Sequence, residues 1–162
     1  MPFDAFLKIE GVEGGSTAAK HKGEIDILSY SWGLSNTGAQ GGGGGGGGGA
    51  GKAVPLDFTF THAIDKASPV LMLACATGKH YPLATFTVET SGEERQRYLV
   101  IKLTDVLVSS LNQQGAFPAE GGGPPLEDLS LSFTKIDFAH YSRNAQGQEI
   151  ITQTSFDFKR QR

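Results

Sequence analysis

Ser68-Pro69-Val70-Leu71-Met72-Leu73-Ala74-Cys75-Ala76-Thr77-Gly78 is the one run of the chain that carries a helix start, a helix body and a helix stop together. Ser68 suits the N-cap, where a side-chain oxygen accepts an otherwise orphaned backbone N–H. Pro69 suits the first helical position, and Gly78 the left-handed residue that closes the C-terminus. Val70, Leu71, Leu73, Ala74 and Thr77 spread apolar surface over most of the circumference. The helix is therefore expected to plug or cover a sheet core.

Outward from this landmark the chain alternates with the period of two that marks half-buried strands. Upstream, Phe58, Phe60 and Ile64 alternate with Asp57, Thr59 and Thr61, a strand that feeds the helix through Asp65-Lys66-Ala67. Downstream, Lys79-His80-Tyr81-Pro82 reads as a tight link into a strand from Leu83 to Thr90, followed by a hairpin turn at Ser91-Gly92-Glu93-Glu94. Arg97 to Leu111 is the longest strand candidate, with a phase change near Asp105 before Val106 and Val108. Leu126 to Tyr141 alternates through Leu129, Leu131 and Phe133 and shifts phase near Thr134, and Ile150 to Arg160 closes the pattern. At the other end, Phe3, Ala5, Leu7 and Ile9 form a first strand, and Gly11 to Gly23 reads as a solvent loop. From Glu24 to Trp32 the alternation slips by one between Ile27 and Leu28, which predicts a bulge. Gly33 to Pro55, with consecutive glycines from Gly41 to Gly49, is expected to hold no regular element, and Asn112 to Pro125 is a second long loop. Seven or more strands with repeated bulges and one helix predict a mainly β fold. The expectation is an antiparallel β-barrel of two sheets with one flanking short helix, about Ser68–Thr77, in a single domain over residues 1–162 with a glycine-rich loop at 33–55.

Composition narrows function further. The 162 residues are 38% hydrophobic and 9% aromatic, enough for a real core, and the net charge of −3 offers no basic footprint for nucleic acid. No run approaches the length of a membrane span, and Met1-Pro2-Phe3-Asp4 lacks the basic-then-apolar order of a signal peptide. Synthesis and folding in the cytoplasm are expected. The lone Cys75 sits in an apolar helix and reads as a small core residue.

Motifs that would carry chemistry fail on context. Gly46-Gly47-Gly48-Gly49-Ala50-Gly51-Lys52-Ala53 fits a phosphate loop except that Ala53 has no hydroxyl for magnesium, and it leads into a strand instead of a helix. His21, His62, His80 and His140 have neither i, i+4 pairing nor a Cys-x-x-Cys companion, so they read as surface or partly packed residues and no metal is expected. Asp57 with Asp65 and Glu93 with Glu94 do not converge for acid–base work, and no nucleophile elbow or dinucleotide fingerprint occurs. No cofactor and no enzymatic activity are expected. A long glycine-rich arm beside many strand edges favours docking on a neighbouring copy over a free loop on a monomer.

With this order of strands, helix and loops in place, the chain resembles the Hcp family, the haemolysin-coregulated tube proteins of bacterial type VI secretion systems. The residues that carry the resemblance are Phe6-Leu7-Lys8-Ile9, the block Glu24 to Gly33, the glycine-rich loop, and Phe60 to Pro69. It continues from Cys75 through Gly78-Lys79-His80-Tyr81-Pro82 and into Leu103 to Ser110. The resemblance implies a β-barrel protomer, six of which close into a ring. Rings stack into a hollow tube that a contractile sheath propels out of the cell, and effectors are carried in its lumen. Implied partners are further copies, effectors, spike and sheath proteins, with secretion through the apparatus without a signal peptide and with neither nucleic acid nor membrane insertion. By the same resemblance Ser29 and Ser31 would face the lumen, while Gly33, Leu34, Ser35, Asn36, Lys52 and Val54 would belong to the loop that contacts a neighbouring subunit. The uninterrupted glycines depart from that picture by leaving the middle of the arm without side chains. A stand-alone barrel that binds a small ligand or glycan is the alternative, with a hydrolase or a toxin fusion further behind.

Overall fold

Among the described residues, the alternating segments pair into nine strands with a single helix between them: β1 (Phe3–Ile9), β2 (Ile25–Ile27), β3 (Ser29–Asn36), β4 (Ala53–Ala63), α1 (Ser68–Thr77), β5 (His80–Thr90), β6 (Arg97–Gln114), β7 (Leu126–Ser132), β8 (Lys135–Arg143) and β9 (Glu149–Asp157). This computed structural model describes residues 2–38 and 51–162.

β6 organises the sheets. Its first half pairs with β5 on one side and β8 on the other, and its second half pairs with β7 on the β8 side. One sheet thus runs β2-β1-β5-β6-β8-β9 and a second runs β6-β7-β4-β3, all antiparallel. The strand passes between them by changing phase at Asp105, which adopts a left-handed φ of 55°. Ile101 and Leu103 are buried before it, and Val106 and Val108 after it. Aspartate tolerates this conformation better than most side chains because it bonds locally; here its carboxylate meets His80 Nδ1 at 2.9 Å. The phase change read at Thr134 is likewise real and splits the expected long strand into β7 and β8, which follow one another along β6.

The slip between Ile27 and Leu28 separates β2 from β3. β2 pairs with β1 at one end of the strand order and β3 with β4 at the other, so Leu28 alone carries the chain from one sheet to the other. Its N–H bonds Thr61 O at 2.8 Å. Strand pairing does not close the barrel; the chain does. Between the sheets, Phe58, Phe60 and Phe86 are fully buried with Leu7, Ile9, Ile25, Ile101, Leu103, Leu129 and Leu131. Phe58 meets Phe86 edge-on at 5.1 Å, and Tyr30 covers Phe86 at 4.5 Å.

Several expectations need correction. α1 has the expected span and its Gly78 stop, at φ 70° with a backbone bond to Ala74 O, but Ser68 is not its cap. Ala67 takes that position. Asp65 Oδ1 accepts the Ala67 N–H, and Ser68 Oγ accepts the Asp65 N–H from the preceding turn. Of the two expected roles, plug or cover, the helix takes the second. Leu71 and Ala74 are buried, with contacts to β6, and Cys75 is half-buried, whereas Val70, Met72 and Leu73 are 44%, 56% and 59% exposed. One stripe suffices because the sheets already fill their own interior. The link at Lys79–Pro82 is mostly strand, since β5 begins at His80. The arm read as 33–55 is shorter than expected at both ends, because Gly33–Asn36 and Ala53–Pro55 pair across β3 and β4. Its polyglycine core, Gly41–Gly49, lies outside the described residues. The Gly11–Gly23 segment is not a plain solvent loop, for Ser16 and His21 are buried within it. Gly14 donates to Gly23 O and Ser16 to Glu24 O, which folds the segment back on itself.

A candidate lumen and assembly surface

In the sheet β6-β7-β4-β3, register places side chains in rows. Ser31, Thr59, Ser130 and Ser110 share one row, and Ser29, Thr61, Asp128 and Asn112 share the next. Alternation sends both rows away from the core, because the intervening row of Tyr30, Phe60, Leu129 and Leu111 faces inward. The outward face is therefore a ladder of small hydroxyl, amide and carboxylate side chains without a lysine or arginine in those rows. Thr59 and Ser130 hydroxyls meet at 3.1 Å, Thr61 Oγ1 donates to Asp128, and Ser109 Oγ donates to Asp57 at 2.6 Å.

Both edges of this sheet lack a strand partner among the described residues. β3 pairs only with β4, and beyond Leu107 the β5 register ends, leaving the β5 side of β6 unpaired by any strand from Val108 to Gln114. Free edges of this kind expose a row of N–H and C=O groups that another chain can complete.

Each residue singled out from the sequence has a place here. Ser29 and Ser31 are both exposed on the polar face. Leu34, Ser35, Asn36, Lys52 and Val54 are exposed at the far end of the β3–β4 hairpin, and Gly33 is half-buried opposite Leu56 at a bulge. Thr37 ties the base of the arm, its N–H and hydroxyl donating to Lys52 O while its Oγ1 accepts the Lys52 N–H. Gln161, at a left-handed φ of 56°, uses its side-chain amide as a one-residue strand. Its Oε1 accepts the Ala53 N–H at 2.8 Å, and its Nε2 donates to Ala53 O and Phe158 O. Asp157 anchors that turn by accepting the Arg160 and Lys159 N–H groups, which hold its carboxyl below its ordinary pKa. Ala53 opens a strand, so the glycine-lysine run does not lead into the helix that a phosphate loop requires.

Sequence reasoning missed two buried polar clusters. His62 and Glu127 are both fully buried. His62 Nε2 meets Glu127 Oε1 at 2.9 Å, and Gln113 donates to Glu127 Oε2 at 2.6 Å. The signal was present, since His62 continues the inward phase of Phe58 and Phe60, and Glu127 that of Leu129 and Leu131. His21 stacks on Phe6 at 4.1 Å with its ring nitrogens 3.0 Å from Glu24 and Glu89, and Arg95 bridges Glu89 and Asp4. Neither His62 nor His21 is a surface histidine. Among the described residues, no group of three or more His, Cys, Asp or Glu is placed to hold a metal ion, and no helix is long and apolar enough to cross a membrane.

Comparison with known proteins agrees with this architecture. Residues 6–140 match the profile of the family described as type VI secretion system effector, Hcp. Protein hcp1 of Pseudomonas aeruginosa is 44% identical over 149 residues, covering 91% of this chain and 88% of that protein. The crystal structure of Hcp1 from Salmonella typhimurium superposes with a TM-score of 0.79 at 32% identity, over 99% of this chain and 98% of that one. A type VI secretion system effector from Yersinia pestis gives 0.74 at 30% identity, over 95% and 99%. On the strength of the profile and of a relative at 44% identity along nearly the whole length, the chain belongs to the Hcp family of type VI secretion proteins.

Proposed function

We propose that this chain is a structural subunit of a type VI secretion tube, in which six copies close into a ring and rings stack. The observation that carries the reading is the sheet β6-β7-β4-β3, which has a polar outward face and, among the described residues, a strand edge without a partner on either side. A head-to-tail contact between the β3 edge of one copy and the β6 edge of the next repeats one interface around an axis and closes. Six four-stranded sheets joined in this way make a continuous barrel of 24 strands, with no edge left over.

Ser29, Ser31, Thr59, Thr61, Asp128 and Ser130 then line the lumen, where exported effectors travel. The arm base, with Gly33, Leu34, Ser35, Asn36, Lys52 and Val54, contacts neighbouring subunits. The role is non-enzymatic, the chain acts as one domain, and it leaves the cell with the tube, in contact with spike and sheath proteins. A stand-alone ligand-binding barrel is disfavoured, because Phe58, Phe60 and Phe86 occupy the interior it would need.

Light scattering coupled to size-exclusion chromatography, followed by negative-stain imaging of the peak, tests the reading. A six-fold particle with a central hole is expected. A stable monomer at high protein concentration refutes it. Replacing Ser31 by arginine is expected to preserve the ring and reduce effector co-purification, since it places six cations in the channel.

A further inference from the structure

The sheet β2-β1-β5-β6-β8-β9 carries a cationic cavity that the tube reading does not use, and we infer that it binds a small phosphate-bearing anion through Arg97, Arg143 and Lys20. The inference is independent of assembly, since every residue it invokes belongs to one copy.

The cavity, of about 450 Å³, lies on the face of this sheet turned away from the core. That volume falls within the range of sites for small ligands. Thr87 and Val100, opposite one another on β5 and β6, form its floor. One wall is the 16–24 segment, with Lys20 and His21. The other is the β8–β9 hairpin, where Arg143 and Glu149 face each other in register. Arg95, Gln96 and Arg97 close the end at the β5–β6 turn. Lys20, Arg95, Arg97 and Arg143 thus share the cavity with two carboxylates, Glu89 and Glu149, in a chain whose net charge is −3.

The pairing inside the cavity decides which cations are available. Its inner end is spent. Arg95 Nη1 bridges Asp4 Oδ2 at 2.9 Å and Glu89 Oε1 at 3.0 Å, and His21 meets Glu89 Oε2 and Glu24 Oε2, each at 3.0 Å. At the mouth, Glu149 is the one lining carboxylate left for three cations. Arg97 gives it Nη2 at 2.9 Å while its guanidinium lies over the Tyr141 ring at 4.2 Å. Arg143 donates Nη1 to a neutral acceptor, Gly147 O, at 2.8 Å. Lys20 pairs with no acid among the described residues. A fork already held by a stack and an ion pair loses little rotamer freedom on binding, so Arg97 is the preorganised member of the set.

Donors that enter from three elements suit a tetrahedral oxyanion. A planar carboxylate is satisfied by one guanidinium fork, whereas a phosphoryl group presents oxygens in several directions and carries more charge. All three cations are exposed, so solvent screens them and the affinity is modest. A Kd of roughly 0.1–1 mM at low salt is expected, weakening as salt is added.

Equilibrium dialysis of radiolabelled inorganic pyrophosphate against the concentrated full chain, at pH 7 and low salt, measures the binding directly. One site per chain is expected. Arg143→Ala should weaken binding about fivefold or more. Lys159→Ala removes the same charge from the C-terminal turn and should leave binding within about a factor of two. Glu149→Gln takes away the opposing carboxylate but still accepts from Arg97, and should tighten binding about threefold. A gain of affinity cannot come from a damaged fold, so this variant decides the matter even if Arg143→Ala loosens the hairpin. Citrate, built of planar carboxylates, should compete about fivefold more weakly than unlabelled pyrophosphate. No retained pyrophosphate, equal losses in Arg143→Ala and Lys159→Ala, weaker binding by Glu149→Gln, or citrate competing as well as pyrophosphate each overturns the inference. None of these outcomes bears on ring formation, which the light-scattering experiment decides separately.

Discussion

Removing the imidazole of His62 should be among the most damaging single changes available outside the aromatic core. The Glu127 carboxylate has no solvent exposure and is held by two donors, His62 Nε2 at 2.9 Å and Gln113 Nε2 at 2.6 Å. His62→Ala leaves a buried acid with Gln113 as its one remaining donor, and opens a hole beside Phe60, whose ring lies 5.7 Å from the imidazole. Breaking a buried pair by deleting one partner costs about 3–5 kcal/mol. Replacing both partners by similar-sized apolar residues removes the stranded group altogether, so His62→Leu with Glu127→Leu should fall within about 1–2 kcal/mol of the parent. Gln113 is exposed, so water replaces the acceptor it loses. Equilibrium urea unfolding measures the cycle through Trp32, the single tryptophan, which packs against the core. With a urea dependence near 2 kcal/mol per molar, the single change should lower the midpoint by about 2 M. Protein concentration must be held fixed across the series, because the proposed assembly would add to apparent stability. A cost below about 1 kcal/mol for His62→Ala, or a double variant as unstable as the single, would refute the view that Glu127 depends on this histidine.

Four further changes separate backbone from side-chain effects. Gly14→Ala should destabilise by about 1–3 kcal/mol, since its Cβ would lie 2.6 Å from Glu24 O and 2.8 Å from Ile25 Cγ1, whereas Gly123→Ala meets nothing within 4 Å and should be neutral in the same thermal melt. Gln161→Ala removes the acceptor of the Ala53 N–H and should cost about 0.5–1.5 kcal/mol, seen as faster amide exchange at Ala53. Asp157 is held below its ordinary pKa chiefly by the Arg160 N–H, so the turn it organises keeps this stabilisation above the ordinary carboxylate range and loses it as pH falls through the depressed value. Exchange at the Lys159 and Arg160 amides should accelerate in that acidic window in the parent but show no such acid step in Asp157→Ala.

The strands were legible because a two-sided sheet forces alternation, and even the phase changes at Leu28, Asp105 and Thr134 left their mark as two neighbours of the same type. The helix body was legible for the same reason, but not its environment. Val70 and Leu73 read as core residues, yet whether a helix buries one stripe or its whole circumference depends on how much interior the sheets leave unfilled. His62 and Glu127 were missed because polarity was weighed above phase; the alternation of Phe58, Phe60 and His62 pointed inward all along. The polar face itself follows from the Ser/Thr phase of β3 and β4. The free edge of β6 does not, because it exists only where β5 happens to end, at His80 opposite Leu107.

A strand shared by two sheets also has a mechanical meaning. β6 is bonded along its 18 residues to β5, β8 and β7 in turn. A pull along the strand direction would load those hydrogen bonds side by side, so that many must fail at once, whereas peeling a sheet edge breaks them one after another. β6 thus acts as a tie rod that couples the two sheets it shares, with its regular pairing broken at the left-handed Asp105 and again at the register shift between Val108 and Ser110.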